Sequence, residues 1–227
     1  MGTKHPLTSG ERSPHTDPSL DPSARKIPGA VVKRLSLYSR ALQTLERDKV
    51  EKVSSTSLGQ MLGINSAQVR KDLAHFGQFG VPGFGYPVAE LRRRIREILG
   101  TDKESRVVLT GAGNLGRALL SYGGFQREGF RIVCAFDKNV EAGQANDGEV
   151  PIYHIDQMEE RIVQLGVNMA ILAVPAEAAQ ETAERLARSG VTAILNFVPV
   201  RLTVPESVKV QYVDLALEME SLSFYVR

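Results

Sequence analysis

Several features are scarce in this sequence of 227 residues, and each scarcity argues against a class of protein. Its single cysteine, Cys134, lies inside an apolar run, which argues against disulfides and predicts a buried, inert thiol. The four histidines lack metal-ligand spacing, so we expect no metal site. No apolar run reaches the roughly 18 residues of a membrane span, and the first residues do not resemble a secretory signal. We therefore expect a cytoplasmic protein with no membrane partner.

The small net charge of +2 hides an uneven distribution along the chain. Residues 27–100 contain 12 Lys and Arg against 6 Asp and Glu, whereas residues 101–227 contain 12 against 17. A basic segment followed by an acidic one predicts a polyanionic partner for the first segment alone. A solvated, arginine-rich helix face is the alternative explanation.

Changes in composition and in hydrophobic period predict four parts. Residues 1–26 are rich in Pro, Ser, Thr and Asp and have few large apolar residues, so we expect a disordered tail. Residues 27–100 are predicted to form a winged helix-turn-helix domain, and residues 101–213 an α/β domain of the Rossmann type. Residues 214–227 are predicted to form a final amphipathic helix.

Three helices are predicted at the start of the second part: Gly29–Arg47, Ser57–Leu62 and Ala67–His75. Gly63 breaks the second helix, and either Asn65 or Ser66 caps the third. Two short helices around a glycine-containing turn are typical of a helix-turn-helix.

A segment from Phe76 to Tyr86 follows, in which aromatic residues alternate with glycine around a Pro82-Gly83 turn. This pattern predicts a β-hairpin, the wing of a winged helix, and Val88–Leu99 is predicted to close the domain as a helix.

The third helix and the wing hold the candidate DNA-binding residues: Ser66, Gln68, Arg70, Lys71, Phe84 and Tyr86. The N-terminal part of a recognition helix meets base edges, where Arg70 could bind guanine and Gln68 adenine. Lys71, with Arg40 or Arg47 of the first helix, is expected to contact phosphates. A small helical dimerisation module is the alternative.

Strands alternate with helices after residue 105, which predicts a parallel sheet covered on both faces. The predicted strands are Arg106–Thr110, Phe130–Phe136, Val150–Tyr153, Asn168–Val174, Thr192–Phe197 and Lys209–Val213. The predicted helices between them are Arg117–Phe125, Ile155–Leu165 and Glu177–Ser189.

A glycine fingerprint joins the first of these strands to the first helix. Gly111 would permit the tight turn, Gly113 would let the backbone approach a pyrophosphate, and Gly116 would allow close packing of helix on strand. Asp137, at the end of the next strand, could accept hydrogen bonds from the adenosine ribose, which favours NAD over NADP. Further cofactor-lining candidates are Ala112, Asn114, Leu115, Ala118, Lys138, Val174, Pro175 and Asn196.

Taken together, these motifs resemble the Rex family of redox-sensing transcriptional repressors. The matching segments are Gln68–Leu73, Phe76–Tyr86, Gly111–Leu120, Asn196–Pro199 and Val213–Asp214. The resemblance implies a homodimer that exchanges its last helix, binds operator DNA when NADH is low, and releases DNA when NADH binds, whereas NAD⁺ leaves operator binding intact.

The resemblance also implies a switch of three side chains. The nicotinamide-proximal tyrosine of the family matches Tyr122, its first-helix arginine matches Arg40, and its aspartate at the start of the exchanged helix matches Asp214. The aspartate would pair with the tyrosine in the DNA-binding state and with the arginine when NADH is bound. Leu215 stands where some members have an aromatic residue against the nicotinamide.

An NAD-dependent oxidoreductase with an appended helical domain is the main rival hypothesis. A dehydrogenase needs a proton donor or acceptor beside the nicotinamide. Tyr122 is the one ionisable candidate that the sequence places there, and Gln126 occupies the position four residues on, where a lysine would support catalysis. We therefore expect no enzymatic activity. A nucleotide-binding scaffold for protein partners is a third possibility.

Overall fold

The computed structural model describes residues 27–80, 84–140, 146–147 and 150–226. The chain divides into two compact units between Asp102 and Lys103. The predicted tail, residues 1–26, and the predicted Pro82-Gly83 turn lie outside the described residues.

The first unit contains four helices in its described part: α1 (Gly29–Arg47), α2 (Ser55–Leu62), α3 (Ser66–Ala74) and α4 (Val88–Leu99). Helix α1 has the bounds that its hydrophobic spacing predicts. Helix α2 starts two residues before its predicted start because the Ser54 hydroxyl accepts a hydrogen bond from the Ser57 amide, which is an N-cap. Asn65 caps α3 by accepting from the Ala67 amide at 2.7 Å, so Asn65, of the two candidates, is the cap.

The segment that follows the predicted wing turn pairs with an earlier part of the chain. The strand β2 (Tyr86–Pro87) pairs antiparallel with β1 (Lys52–Val53), which lies between α1 and α2. Gly85, just before this strand, forms a single β-bridge, and residues 76–80 form no strand. The hairpin around Pro82-Gly83 stays a prediction, because residues 81–83 lie outside the described residues.

The core of this unit joins α1, α3 and α4. Its fully buried members include Tyr38, Leu42, Val69, Leu91 and Ile95, each at 0–1% exposure. Burial of this apolar surface holds the recognition helix against α1.

The second unit is a sheet with helices. Its elements are β3 (Ser105–Thr110), α5 (Asn114–Leu120), α6 (Gly124–Arg127), β4 (Phe130–Asp137), β5 (Asn146–Asp147), β6 (Val150–His154), α7 (Met158–Leu165), β7 (Met169–Leu172), α8 (Ala176–Arg188), β8 (Ala193–Asn196), β9 (Lys209–Tyr212) and α9 (Leu215–Ser223). The strand order is β5-β6-β4-β3-β7-β8-β9, and all neighbours pair in parallel except β5 with β6. The predicted parallel α/β sheet is confirmed.

The predicted helix Arg117–Phe125 was wrong, because the chain breaks it. Helix α5 ends at Leu120, Ser121 is its C-cap, and a separate short helix, α6, begins at Gly124. Two consecutive glycines, Gly123 and Gly124, weaken helix propagation at this point.

Candidate functional site

The strand order places a crevice between β3 and β7. The six parallel strands run in the order of dinucleotide-binding sheets, with β3 first, and the order reverses between β3 and β7. Ligands of open α/β sheets bind at this reversal, outside the carboxyl ends of the strands. The predicted glycine fingerprint follows β3 at this edge.

The first glycine of the fingerprint has a strict steric requirement. Gly111 has φ +91°, and a Cβ atom there would lie 2.6 Å from the carbonyl carbon of Ala173 and 2.9 Å from the nitrogen of Val174. The turn therefore packs directly on the backbone that leaves β7. Gly113 differs, because a Cβ there would meet nothing within 4 Å. Its lack of a side chain leaves open space at the start of α5.

The predicted ribose acid lies beside this turn. The Asp137 Oδ2 atom accepts a hydrogen bond from the Ala112 amide at 2.7 Å, and its Oδ1 atom accepts from the Asn139 amide at 2.8 Å. The two bonds fix the carboxylate at the end of β4, and each oxygen keeps further acceptor capacity for a ribose hydroxyl. Lys138, next to it, is exposed.

Asn196, at the end of β8, has a different local role from the one expected of a cofactor ligand. It is fully buried, its Nδ2 donates to the carbonyls of Val198 and Val200, and its Oδ1 accepts from the Val198 amide. Its amide group is thus engaged by the loop that follows β8. Asn196 shapes this edge of the crevice, while direct contact with a cofactor stays a prediction.

Asp214 lies at the same carboxyl edge, directly after β9. The Val213 amide donates to the Asn196 carbonyl at 2.8 Å, which ties this segment to β8. The Asp214 Oδ1 atom accepts from the amides of Ala216 and Leu217 at 3.0 and 3.1 Å. Asp214 is therefore the N-cap of α9 in this state.

In the first unit, α3 presents its candidate base-reading side chains at the surface. Arg70 and Lys71 are exposed, and Gln68 and Ser66 are half-buried. An Arg70 guanidinium nitrogen donates to the Ser55 hydroxyl at 2.9 Å. Because arginine has five N–H donors, most of its capacity remains for a base edge or a phosphate.

A buried carboxylate holds this helix in place. Asp72 is 0% exposed and accepts from Arg34 at 2.5 and 2.8 Å, from the Tyr38 hydroxyl at 2.7 Å and from the Gln68 amide at 2.6 Å. Burial alone would raise the pKa of Asp72, but the hydrogen bonds from Arg34, Tyr38 and Gln68 outweigh it and lower that pKa. Burial and the neighbouring carboxylate raise the pKa of Tyr38, which stays a donor. The network joins α1 to α3.

The wing has an exposed aromatic tip. Phe84 is 71% exposed, and the Lys52 ammonium of β1 lies 5.9 Å from its ring centroid. Arg94 of α4 lies 5.2 Å from the Phe79 ring centroid and donates to the Gln78 carbonyl at 3.3 Å, which supports the base of the wing. Tyr86 pairs within the small sheet and is half-buried.

Comparison with known proteins assigns the chain to a family. A family model described as "CoA binding domain" matches residues 102–200, and one described as "Putative DNA-binding protein N-terminus" matches residues 26–74. The redox-sensing transcriptional repressor Rex of Carboxydothermus hydrogenoformans is 46% identical over 202 residues, covering 89% of this chain and 97% of that protein. The chain belongs to the Rex family.

Further Rex proteins agree with this assignment. The Rex protein of Streptomyces coelicolor is 43% identical and covers 89% of this chain and 78% of its own length. The crystal structure of RSP in complex with β-NAD⁺ and operator DNA matches with a TM-score of 0.84 at 36% identity, covering 89% of this chain and 93% of that one. The crystal structure of RSP in complex with β-NADH matches with a TM-score of 0.80 at 34% identity and covers 89% and 95%.

The three predicted switch residues of this Rex protein lie in different elements. Asp214 is at the crevice edge, and Arg40 is exposed on α1 of the first unit. Tyr122 follows α5, whose seven residues lead the chain about 10 Å back from the glycine turn. Its contact with nicotinamide stays a prediction.

The last helix of this Rex protein is exposed along its whole length. Leu215, Leu217, Met219 and Leu222 are 56–68% exposed, and the residues of the short 3-10 turn that follows, Phe224–Val226, are 75–84% exposed. These apolar side chains are thus not buried by any part of the chain that the structure describes. An exposed apolar surface of this kind is typical of an interaction site.

Sequence reasoning missed several residues that shape these sites. Asp72 was not singled out, because an aspartate in a short helix is usually solvated. The sequence feature that could have indicated its burial is the pair Arg34 and Tyr38, which lie four residues apart on one face of α1 and both donate to it. Ser55 and Lys52 carried no local signal. Among the described residues, no helix is long and apolar enough to cross a membrane, and no cluster of His, Cys, Asp and Glu is arranged to hold a metal.

Proposed function

We propose that this chain is an NADH-responsive repressor, which binds operator DNA as a homodimer when NADH is low and is released when NADH binds. The observation that carries the proposal lies at the carboxyl edge of the sheet, where the Gly111 turn after β3 meets the Asp137 carboxylate at the end of β4 through the Ala112 amide. A winged helix-turn-helix with an exposed Arg70 and Lys71 precedes this crevice in a chain of the Rex family. The solved RSP structures with β-NAD⁺ and operator DNA, and with β-NADH, support both ligands.

The cofactor would lie along the carboxyl edge of the sheet. The open space at Gly113 suits the pyrophosphate, and Asp137 suits the adenosine ribose hydroxyls. The same carboxylate would repel the phosphate of NADP, so we expect NADH to be preferred to NADPH. Val174, Pro175 and the loop that Asn196 organises would line the nicotinamide half.

The nicotinamide ring carries a positive charge in NAD⁺ and none in NADH. A closed crevice with little water would favour the neutral ring, since burying an unpaired charge is costly. For NADH to act as a switch it must bind the closed state more tightly than the DNA-competent state, typically by about 1–3 kcal/mol.

A homodimer would account for two features of the single chain. The exposed apolar α9 would be covered by a second copy, as an exchanged helix, with Asp214 at its start. Tyr122, which α5 carries away from its own glycine turn, could then meet the crevice of the partner subunit. Two winged helices would be spaced for operator half-sites about 34–36 Å apart or a multiple of that distance.

The contacts with DNA would divide by function. Arg70 would read guanine, Gln68 would read adenine, and Ser66 and Lys71 would contact the backbone near the N-terminal half of α3. Phe84, at the wing tip, would approach the backbone or a minor groove. A repressor of this kind acts where the chromosome is, so we place it in the cytoplasm.

An oxidoreductase is the second candidate, which the crevice alone would allow. The relatives described above are transcriptional repressors, and Gln126 leaves Tyr122 without a nearby lysine. We therefore propose that the protein is not an enzyme. Steady-state oxidation of NADH with a range of carbonyl substrates tests this point, and turnover with any of them would contradict it.

The deciding experiment is a retardation titration of operator DNA with NADH, NAD⁺ and NADPH in parallel. Release by NADH at lower concentration than by the other two is expected. Gly113→Ala is the diagnostic variant, because its Cβ fits the ligand-free chain but would occupy the pyrophosphate space. It should bind operator normally and need at least about tenfold more NADH for release. Equal responses to all three nucleotides would contradict the proposal.

A further inference from the structure

The segment between α5 and α6 holds one aromatic side chain in a defined place. The Tyr122 ring packs edge-to-face on Phe125, with ring centroids 5.2 Å apart and an angle of 84° between the planes. Tyr122 is nevertheless 55% exposed, so its orientation is set by few neighbours. One of those neighbours is the backbone of Gly124.

A Cβ atom on Gly124 would overlap the Tyr122 ring. It would lie 2.5 Å from the hydroxyl oxygen and closer still to two ring carbons, and these are the three nearest heavy atoms. Real Cβ atoms do not approach other atoms so closely. The tyrosine ring therefore lies across the start of α6 in space that exists only because residue 124 has no side chain.

The backbone conformation does not require a glycine at position 124. Gly124 is absent from the residues of positive φ, so its conformation is open to any amino acid. Its neighbour Gly123 has φ −62°, and a Cβ there would meet nothing within 4 Å. Of these two consecutive glycines, the second is the constrained one, and the three atoms nearest to its missing Cβ all belong to the Tyr122 side chain.

We propose that Gly124 is a positioning residue, whose missing side chain fixes the orientation of the Tyr122 ring that the NADH response uses. The inference rests on the proposed role of Tyr122 in the switch. Because the clash is with the far end of a rotatable side chain, alanine at 124 would move the ring without unfolding the chain. The damage would therefore fall on the response to NADH.

The test compares Gly124→Ala with Gly123→Ala as the matched control, in the full chain. The readout is the ratio of the operator dissociation constants with and without saturating NADH. We expect Gly123→Ala to keep the wild-type ratio and Gly124→Ala to reduce it at least fivefold, within the roughly 5- to 150-fold range usual for coupled sites. The thermal midpoint should match the wild type in both variants, and Gly123→Ala should also keep the wild-type operator affinity without NADH.

A double-mutant cycle separates positioning from a general structural effect. In a Tyr122→Ala background, Gly124→Ala should cause no further loss of the ratio, since the ring is gone. A wild-type ratio in Gly124→Ala, or an additional loss in the double variant, would overturn the inference. A ratio of one in the unmodified protein would instead contradict the proposed function itself.

Discussion

Replacement of Asp72 by asparagine tests whether a buried ion pair holds the recognition helix. Asparagine has nearly the same shape but no charge. Its Nδ2 atom replaces one carboxylate oxygen and cannot accept the two hydrogen bonds that this oxygen now accepts, because each oxygen of Asp72 accepts two of the four bonds from Arg34, Tyr38 and Gln68. The change therefore leaves donors unpaired inside the unit. It also leaves the Arg34 guanidinium without its counter-charge.

The size of the effect follows from burial. Removal of one partner from a buried ion pair costs about 3–5 kcal/mol. The Arg34 side chain is 25% exposed and keeps some water, so we take the lower end, about 3 kcal/mol. At about 4–8 °C per kcal/mol for a domain of this size, the thermal midpoint of the first unit should fall by about 12–24 °C.

Two further variants calibrate the measurement. Tyr38→Phe deletes one hydrogen bond to the same carboxylate and should cost about 1.5 kcal/mol. Glu97→Gln breaks the exposed pair with Arg93 on α4 and should cost less than about 0.5 kcal/mol. Melts followed by circular dichroism, with hydrogen exchange of peptides from α3, distinguish the first unit from the second. If the first unit of Asp72→Asn had the same thermal midpoint as that of Glu97→Gln, the reasoning about the buried pair would fail.

Four further outcomes are expected. The pKa of Asp72 is lowered in the folded state, so the stability that its charge adds is complete above the ordinary aspartate pKa of about 4. That stability is lost as the pH falls through the folded pKa. The difference in thermal midpoint between the wild type and Asp72→Asn should therefore shrink below about pH 4. Gly111→Ala should lower the thermal midpoint and abolish NADH binding, because the added Cβ would clash with the backbone after β7. Calorimetry measures both effects. Arg70→Ala should lose about 1–3 kcal/mol of discrimination between operator variants, whereas Lys71→Ala should weaken binding to all sequences and reduce the salt slope by about one, as measured by retardation at several salt concentrations. Asp214→Ala should bind operator but not release it with NADH; normal release would refute its place in the switch.

The nucleotide crevice could be predicted from sequence because its determinants are local. Gly111 and Gly116 are set by one turn, and Asp137 follows at the spacing that a strand, a helix and a second strand require. The parallel sheet is repetitive enough for its strands to be predicted within one or two residues. The hydrophobic period and the spacing of motif residues can be read from the sequence without knowledge of any tertiary contact.

The remaining features depend on contacts between distant residues. The two-residue strand Lys52–Val53 has no detectable period, so its pairing with Tyr86–Pro87 could not be foreseen. Asp72 is buried only because α1 packs on α3 and supplies Arg34. The Gly123-Gly124 pair signals a break in the helix, but which glycine is sterically required depends on where the Tyr122 ring lies.

The buried network also limits how an NADH signal could reach DNA. Asp72 ties α3 to α1 with three hydrogen bonds, from Arg34 and Tyr38. They lie inside a unit that has its own apolar core, so the reading side chains are held without reference to the second unit. A change in the fold of α3 would have to break this buried pair, at about 3–5 kcal/mol. That cost exceeds the roughly 1–3 kcal/mol usual for coupling between sites. A change in the spacing of two intact winged helices requires less free energy than a change in the fold of α3, so we expect the response to NADH to take that form. Reciprocity then requires operator DNA to weaken NADH binding by the same factor, and an NADH affinity that saturating operator left unchanged would exclude this form of control.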